Sequence, residues 1–389
     1  MTNLARIAEP ARPWNDAQAA DPAGELHARQ QTLMRAYQSR YVVLPQDGMS
    51  GSIRDWLDRR YDAAELARLA MARPALEQDL VAPVVAEALA AAAGADVAAY
   101  AQALLPRVRR EPANAFTASL RGNPDRAHHY RDFLLQSSAD LLAEASASAF
   151  GVVGSFGPPQ SALFRILIDE FGYGAHDRKH SVLYQAVMRD FGLSDAYDAY
   201  SPLLDTASIA LHNTIHHLFQ NPRNVFLQVG FLLFAETAYQ RSTADHHRYL
   251  REFHPEADAR YFAEHAHIDL HHTRMIIDDV ALPMVAAYGP EAGAEIVAGA
   301  ELTRAAFARA GAHMLAVGGA FAEAVAAGEA VYAAPAPCGN GRSLSPQGAV
   351  LEPASARLQV GGLGLVNAGA FTGFPAGAIG WRAEPGDLA

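Results

Sequence analysis

The chain has 389 residues, of which 50% are hydrophobic and 19% charged, a composition typical of a globular protein with a large core. Its formal net charge of -11 argues against sequence-independent nucleic-acid binding, because that function requires a basic surface to neutralise phosphates. One cysteine, Cys338, excludes an internal disulfide framework, a Cys-rich zinc module and a Cys-ligated iron–sulfur cluster. Because the chain also has sixteen histidines, we expect any metal site to use nitrogen and oxygen ligands.

No targeting or membrane-spanning pattern is visible. Residues 1–24 contain charges and prolines without an apolar run, unlike a signal peptide. The Ala-rich stretches near 80–105 and 310–335 are interrupted by acidic residues, so neither supplies the ~20 consecutive apolar residues of a membrane span. We therefore expect a cytoplasmic protein whose partners include neither a membrane nor nucleic acid.

The segment from about residue 25 to 330 has a helical pattern almost throughout. Apolar residues recur at spacings of three and four, and Ala, Leu, Glu and Arg dominate. Turn signals such as Asn221-Pro222 and Gly289-Pro290 separate the helices, because proline disfavours the helical conformation of the residue before it. In chain order, the pattern predicts helices near residues 25–43, 52–71, 78–105, 126–150, 158–172, 177–191, 195–219, 223–241, 256–287 and 290–328.

The C-terminal part of the chain differs from this pattern. From Ala333 onward it is rich in Gly, Pro and Ser, with β-prone segments at 358–360 and 370–372. Such a segment is either an irregular extension that packs on the helical body or a partly disordered tail. We therefore predict an all-α helical bundle that consists of an N-terminal arm (1–24), one helical domain (25–330) and a Gly/Pro-rich C-terminal extension (331–389).

The predicted helix 256–287 carries the strongest local indication of chemistry. Its segment His265-Ala-His-Ile-Asp269-Leu-His-His272 places His265, Asp269 and His272 in one stripe about 60° wide, at roughly 100° per residue. His267 and His271 point away from that stripe. Two imidazoles and a carboxylate directed at one point suit iron, manganese or zinc. A solvated polar helix face is the alternative interpretation.

Further carboxylates lie in apolar or Ala-rich surroundings. Glu236 is at the centre of an otherwise apolar helix, where an unpaired ionised carboxylate is strongly unfavourable. Glu170 ends an apolar run, Glu144 lies in an Ala-rich helix, and His180 follows Glu170 by ten residues. Each alone also has an ordinary structural interpretation, such as a helix-end carboxylate or a surface Glu. Together they match the way inward-facing Glu and His residues build dimetal sites in helical bundles.

In order and spacing, these residues resemble the ligand set of the heme-oxygenase-like diiron oxidases and oxygenases, a superfamily of iron-containing redox enzymes. The resemblance is close over about residues 125–290 and looser over the rest of the helical body. It implies an all-helical bundle related to heme oxygenase, with a non-heme diiron centre that activates O2 as co-substrate. The metal ligands that it implies are Glu144, Glu170, His180, Glu236, His265, Asp269 and His272.

The charges of this ligand set agree with a centre of two Fe ions that changes between Fe²⁺ and Fe³⁺. Its four carboxylates neutralise two Fe²⁺ ions and its three imidazoles are neutral, a balance that a buried site requires. Because the reaction consumes electrons, the implied partners are an external electron donor or reductase and a small-molecule amine substrate. A homodimer is compatible with the sequence.

Two subgroups of this family differ after the Glu of the second ligand helix. In one subgroup, whose members cleave or desaturate carbon chains, a His follows that Glu by three residues; here the position holds Tyr173. The ten-residue interval from Glu170 to His180 and the upstream Glu144 resemble the other subgroup, whose members oxygenate amine nitrogens. The resemblance implies N-oxygenation of an amine-containing metabolite to a hydroxylamine, nitroso or nitro product, in natural-product biosynthesis. An oxidase that cleaves or desaturates an amino or fatty acid is the alternative.

Two residues near the predicted ligands have two interpretations each. Asp177 forms an Asp-x2-His pair with His180 and is either the N-cap of its helix, which we favour, or a replacement for a Glu ligand. Tyr239 lies one turn after Glu236 and is a candidate pocket residue, although core packing explains it equally well. No catalytic residue beyond the metal ligands is predicted.

Other histidines and acids keep a structural interpretation. His212 and His216 lie one turn apart, and we interpret them as a polar helix face or pocket lining, with a second metal site as the alternative. The pairs His128-His129 and His246-His247 cannot each place both rings on one helix face, so they are interpreted as surface residues. The pair Asp278-Asp279 is interpreted as solvated, with the positioning of ligand imidazoles as the alternative.

Three other functions compete with a diiron oxygenase. A true heme oxygenase would use His27 as the proximal ligand, but four interior carboxylates suit iron ions better than a porphyrin. A thiaminase-like hydrolase requires a cysteine nucleophile, and Cys338 lies in the irregular tail. A non-catalytic metal-binding helical protein would have the same ligands without a substrate pocket.

Overall fold

The computed structural model describes residues 25–44, 51–110, 114–123, 126–201 and 204–326, together with short strands between residues 336 and 365. Its helices are α1 (Glu25–Gln38), α2 (Ile53–Arg60), α3 (Ala63–Leu80), α4 (Ala82–Ala91), α5 (Val97–Arg110), α6 (Ala115–Leu120), α7 (Arg126–Leu141), α8 (Glu144–Phe150), α9 (Pro158–Glu170), α10 (His180–Asp190), α11 (Thr206–Gln220), α12 (Val225–Phe253), α13 (Arg260–Met275), α14 (Leu282–Tyr288) and α15 (Pro290–Ala326). The body of the protein is all-α, as the sequence predicts.

Shorter elements connect or follow these helices. The 3-10 turns Gly172–Gly174 and His176–Arg178 join α9 to α10, Pro222–Asn224 precedes α12, and the π-helical stretch Ile276–Ala281 joins α13 to α14. Two small antiparallel sheets consist of β1 (Ala336–Cys338), β2 (Arg342–Leu344) and β3 (Val350–Leu351), and of β4 (Leu358–Val360) and β5 (Leu363–Leu365). β4 coincides with one predicted β-prone segment. The segment at 370–372 and the predicted arm at 1–24 lie outside the described residues.

Several predicted helices are divided or shortened, and side-chain caps explain two of the boundaries. The predicted helix 52–71 is two helices, because Asp62 caps α3 by accepting a hydrogen bond from the backbone N–H of Glu65. The predicted helix 195–219 begins only at α11, where Asp205 accepts from the N–H of Ser208. The predicted helices 78–105 and 126–150 are also divided, the latter between α7 and α8, so Glu144 begins a helix instead of lying inside one.

α12 packs along α13 and α15 and continues to Phe253, well beyond the predicted end near residue 241. Every side chain from Leu227 to Thr237 is buried, as expected of a helix that others surround. α15 crosses α12 at two glycines. A Cβ on Gly230 would lie 1.9 Å from the carbonyl oxygen of Ile296, and a Cβ on Gly299 would lie 2.1 Å from a backbone oxygen of α12. Two residues without side chains therefore allow the backbones to touch.

Two groups of buried apolar side chains form the core. One lies among α4, α5, α12 and α15 and includes Leu233 and Ile296; the other lies among α7, α10 and the adjoining ends of α12 and α13 and includes Leu134 and Tyr184. Within the described residues, no helix combines the length and the apolar character that crossing a membrane requires.

Candidate metal centre

The predicted stripe on α13 faces the protein interior. His265, Asp269 and His272 are at most 3% exposed, whereas His267 and His271 are exposed, as the helical spacing predicts. Two imidazoles and a carboxylate buried on one helix face require partners of opposite charge, hydrogen bonds or a metal ion. Carboxylates from three other helices and an imidazole from a fourth meet this face.

A first cluster contains Glu144 of α8, Glu170 of α9, His180 of α10 and His265 of α13. Each residue offers one ligand atom, and these atoms lie within 4.8 Å of one another. Nδ1 of His180 is 2.6 Å from Oε2 of Glu170, and Nε2 of His265 is 3.5 Å from Oε1 of Glu144. A metal ion among these atoms would have two carboxylates and two imidazoles as ligands.

A second cluster contains Glu170 again, with Glu236 of α12 and Asp269 and His272 of α13, under the same distance limit. Nδ1 of His272 lies 3.1 Å from Oε2 of Glu236 and 3.5 Å from Oε1 of Glu170. Glu170 thus belongs to both clusters, with one carboxylate oxygen toward His180 and the other toward His272. A shared carboxylate between two ligand sets is the arrangement that bridges two metal ions.

The structure therefore brings all seven predicted ligands together, and their unsatisfied atoms test whether metal ions fit. Both carboxylate oxygens of Glu170, Nδ1 of His180, Nε2 of His265 and Oδ2 of Asp269 are buried and make no well-oriented hydrogen bond, although Nδ1 of His180 lies 2.6 Å from Oε2 of Glu170. Buried polar atoms rarely lack partners, so their convergence indicates a ligand that the chain does not supply. Four carboxylates and three imidazoles fit two divalent cations, and binding of iron by these residues stays a prediction.

In the absence of a cation, the carboxylates of the centre favour protonated imidazoles. Burial by itself lowers the pKa of His272, but the charges of Glu236, Glu170 and Asp269 raise it to about 9. Burial raises the pKa of Asp269 to about 7, against the opposing effect of His265. For Glu170, the neighbouring imidazoles outweigh burial and lower the pKa to about 2. Protons on the imidazoles therefore supply part of the positive charge that metal ions would supply.

A tight turn between α9 and α10 places His180 beside Glu170. Gly172, Tyr173 and Gly174 all have a positive φ, and a Cβ on Gly172 would lie 2.5 Å from the backbone carbon of Arg178. Gly172 therefore permits the close approach that returns the chain to the end of α9. Because α9 has already ended at Glu170, Tyr173 is exposed and belongs to neither cluster.

Asp177 does not cap α10, so that prediction is wrong. The helix begins at His180, its N-cap position is Lys179, and no side chain provides a capping hydrogen bond. Asp177 is exposed in the 3-10 turn His176–Arg178 and is in neither cluster, so it does not replace a Glu there. α10 therefore begins after this 3-10 turn, and residue spacing in the sequence does not reveal where the turn lies.

Two contacts that position candidate ligands were not predicted. Oδ2 of Asp169 lies 3.3 Å from Nε2 of His272, on the far side of the ring from Nδ1. The hydroxyl of Tyr261 donates to Oε1 of Glu144 at 2.8 Å. A carboxylate that accepts the remote N–H of an imidazole fixes the tautomer and orientation of the ring. Asp169 and Tyr261 each lie within one helical turn of a candidate ligand, but the ligand that each of them contacts is on another helix.

A cavity with mostly apolar walls adjoins both clusters. It is lined by residues of α7, α8, α9, α11, α12 and α13, among them Glu144, Glu170, Glu236 and His265. Tyr239, for which the sequence left pocket lining and core packing equally open, also lines it. The candidate centre therefore borders a cavity that combines apolar walls with the carboxylates of both clusters.

The remaining predicted residues have structural roles, some of them unexpected. The interpretation of His246 as a surface residue is wrong, because it is 3% exposed and stacks between Phe133 and Phe262. His129, at 9% exposure, is also buried. The pair Asp278-Asp279 is exposed, as predicted.

His27 and two histidines of α11, His212 and His216, are buried. Nδ1 of His27 lies 2.8 Å from Oγ1 of Thr206, which links α1 to α11. His212 and His216 are buried and form a third cluster with Asp140, and His216 lines the cavity.

This fold and centre define a predominantly helical protein with buried carboxylates and histidines in two clusters that could each hold a metal ion. Residues 131–308, which include all seven candidate ligands, match the family model described as "Iron-containing redox enzyme". A nitrosourea synthase from Streptomyces achromogenes subsp. streptozoticus is 34% identical over 279 residues, which are 70% of this chain and 58% of that enzyme. The chain belongs to the heme-oxygenase-like family of iron-containing redox enzymes, which confirms the family that the ligand pattern predicts.

Proposed function

We propose that this protein is a non-heme diiron oxygenase that uses O2 to oxidise a small amine-containing metabolite at nitrogen. The observation that carries the proposal is the pair of ligand clusters that share Glu170. Two iron ions held there would supply the redox chemistry that activates O2, with electrons from an external donor. The expected product is a hydroxylamine, nitroso or nitro compound in a biosynthetic reaction.

The neighbours of the ligands keep donor atoms available for metal. Asp169 accepts the hydrogen of Nε2 of His272, so Nδ1 is the nitrogen of that ring that offers its lone pair to a metal ion once the imidazolium proton is displaced. The hydroxyl of Tyr261 occupies Oε1 of Glu144, while Oε2 of the same carboxylate is buried without a partner. These contacts orient one ligand in each cluster.

With metal ions neutralising the ligand carboxylates that also line it, the cavity would suit a neutral amine more than a charged one. Leu163, Ile166 and Leu232 are among its apolar wall residues. An apolar environment disfavours the protonated form of an amine, and only the unprotonated nitrogen has the lone pair that oxidation requires. The similar enzyme is named for a nitrosourea, a product with a nitroso group on nitrogen, which supports nitrogen as the oxidised atom. Tyr173, at the position where the carbon-chain subgroup has a His, is exposed and lies outside both clusters, which agrees with oxidation at nitrogen.

The test begins with metal content. Anaerobic loading with Fe²⁺, followed by Mössbauer spectroscopy and anomalous scattering, should find two irons in the clusters. Glu236→Ala should abolish the activity and lower the iron content, whereas the control His271→Ala, an exposed residue of the same helix as His272, should change neither. A single zinc ion bound by His265, Asp269 and His272 would contradict the diiron centre.

The reaction is then assigned with a panel of amines under ¹⁸O2. Incorporation of label into an N–O bond, detected by mass spectrometry, is the expected result. Release of carbon dioxide or formation of an alkene without label in the product would instead assign the enzyme to oxidative carbon-chain cleavage or desaturation. A protein that binds metal and reduces no O2 with any amine would favour a non-catalytic role.

A further inference from the structure

One carboxylate in the wall of the cavity belongs to neither cluster of the dimetal centre. Asp140 lies near the C-terminal end of α7 and lines the same cavity as Glu144 and Glu236. Its side chain is 21% exposed, and among the described residues its ion pair is with His212, with no Lys or Arg within ion-pair distance. A carboxylate beside mostly apolar walls is costly unless a positive charge compensates it.

His212 holds one oxygen of this carboxylate and leaves the other available. Nδ1 of His212 lies 2.5 Å from Oδ1 of Asp140 and donates its hydrogen to that oxygen. Nε2 of His212 is buried and makes no hydrogen bond, so a second hydrogen there would have no acceptor. The ring is therefore neutral, and the pair keeps the negative charge of the carboxylate. Oδ2 of Asp140 makes no hydrogen bond with the described residues.

The other titratable groups around Asp140 supply no positive charge. Burial lowers the pKa of His216 well below its usual value, so that imidazole is neutral. Burial and the charge of Asp140 raise the pKa of Tyr41. Burial and the nearby carboxylates, Glu144 foremost, likewise raise the pKa of Tyr239 well above its usual value. Both phenols keep their protons, and the described residues that line the cavity include no Lys or Arg.

Metal ions in the two clusters would not compensate this charge either. The four carboxylates of the clusters balance two divalent ions, which leaves Asp140 as a fifth carboxylate of the cavity. A separate metal ion does not suit it, because His212 presents an N–H to Asp140 and Nε2 of His216 already accepts from the Tyr41 hydroxyl at 2.5 Å. A cationic group of a bound molecule that donates N–H to Oδ2 would supply the missing charge.

We propose that Asp140 is a specificity-determining residue that binds a second, protonated nitrogen of the amine substrate. The inference rests on the proposed oxidation of an amine and assigns two basic nitrogens to the substrate. The neutral nitrogen faces the dimetal centre, and the cationic one forms a charge-assisted hydrogen bond with Oδ2 of Asp140. Asp140 does not touch the nitrogen that reacts; it orients the substrate in the cavity that it shares with the ligands.

Binding to the zinc-loaded full chain tests this role without any oxidation. Isothermal titration calorimetry compares α,ω-diaminoalkanes of three to six carbons with amino alcohols of the same lengths, in which a neutral hydroxyl replaces one ammonium group. At the best length, wild type should bind the diamine about 10- to 100-fold more tightly, the gain from one charge-assisted hydrogen bond. Asp140→Asn keeps an acceptor for His212 but removes the charge, and it should abolish this preference. The control Asp132→Asn, on the same helix but outside the cavity wall, should retain it.

No preference for a diamine at any length, or a preference that Asp140→Asn retains, would overturn the proposal and leave Asp140 as a residue that positions His212. A crystal structure of the zinc-loaded wild type with the tightest diamine provides a second measurement that does not depend on a variant. One nitrogen should lie at about 2.7–2.9 Å from Oδ2 of Asp140. A diamine bound with both nitrogens away from Asp140 would reject this role, whatever the variants do.

Failure of the proposed function would look different. If the iron-loaded protein oxidises no amine while the zinc-loaded protein binds diamines through Asp140, the oxygenase is contradicted and the binding role of Asp140 stands. If amines are oxidised at nitrogen with the same ratio of kcat/KM for diamine over amino alcohol in wild type and Asp140→Asn, the binding role alone is contradicted.

Discussion

At the scale of single residues, Asp169 has the most sharply testable role. Its carboxylate faces Nε2 of His272, the nitrogen that points away from the second cluster. We predict that Asp169→Ala weakens metal binding about 10- to 100-fold, because the imidazole loses the contact that fixes its tautomer and orientation. Competition with a chromophoric chelator measures the affinity. Asp279→Ala, which removes an exposed carboxylate paired with Arg165, is the control, and equal affinities in both variants would contradict a positioning role.

His246 is a buried histidine of the core, and its prediction concerns stability. Its ring lies 4.5 Å from the ring of Phe133 and 5.1 Å from that of Phe262, and Nδ1 lies 3.0 Å from the hydroxyl of Tyr130. Burial lowers its pKa from 6.5 to about 3. The unfolded chain therefore binds a proton at higher pH than the folded protein does, so this residue makes the free energy of unfolding fall as pH decreases from 6.5 to 3.

The size of this effect is up to about 5 kcal/mol, from about 1.4 kcal/mol per pKa unit. His246→Phe should reduce the pH dependence of the free energy of unfolding, measured with urea between pH 4 and 7. Loss of the contact with the Tyr130 hydroxyl also changes the stability at neutral pH, but it does not change this expectation. His247→Phe, at the partly exposed neighbouring position, should change this dependence far less, because only part of that ring is buried. The same slope for His246→Phe as for wild type would show that the buried imidazole accepts a proton without unfolding.

At the scale of elements, the turn between α9 and α10 decides whether His180 reaches Glu170. Gly172 and Gly174 both have a positive φ, but a Cβ would contact backbone atoms only at Gly172. Gly174→Ala should lower the free energy of unfolding by roughly 1–2 kcal/mol, the penalty of the left-handed conformation. Gly172→Ala should lower it by more and should also reduce metal loading, because the turn must open. Urea unfolding and metal analysis of the two variants provide the comparison, and identical losses would show that the close approach is unimportant.

The predicted and observed helices differ in ways that show which structural features a local sequence pattern reveals. The burial of His265, Asp269 and His272 was predictable, because helical periodicity is a local property and α13 is regular over that segment. The N-cap assigned to Asp177 failed, because this residue lies inside the 3-10 turn His176–Arg178 and α10 begins only at His180. The C-terminal part of α12 was missed, since its polar segment has weak apolar periodicity and its buried face follows from packing on other helices.

Contacts between distant segments were the least predictable. Adjacent histidines predict exposure for at least one ring, but the aromatic surroundings of His246 come from other helices. Likewise, nothing near His212 in the sequence identifies Asp140 as its partner. Asp169 adjoins a predicted ligand, yet its role depends on the position of His272 across the centre.

At the scale of the whole molecule, the core and the metal centre have opposite energetic effects. Buried apolar side chains on both sides of the centre stabilise the fold, whereas four carboxylates brought together in the interior repel one another. Protons on the imidazoles relieve part of that repulsion when metal is absent. Metal ions would relieve it more completely, so metal binding and proton binding compete for the same residues.

The last prediction follows from this competition. Glu236, Glu170 and Asp269 outweigh burial and raise the pKa of His272 from 6.5 to about 9, so the metal-free protein holds a proton there at neutral pH. The stabilisation from that proton is complete below pH 6.5 and is lost as pH rises through 9. A metal ion must displace it, and the apparent affinity for Zn²⁺ should therefore rise about tenfold per pH unit between pH 7 and 9 for each proton released.

Calorimetric titration in buffers of different ionisation enthalpy measures this proton release directly. Over the same range, the difference in free energy of unfolding between metal-loaded and metal-free protein should widen, because the metal-free protein loses the contribution of protonated His272. Asp279→Asn, which changes an exposed carboxylate, should leave both pH dependences as in wild type. Zn²⁺ binding that releases no protons at pH 7, with an affinity independent of pH up to 9, would mean that His272 is not a ligand.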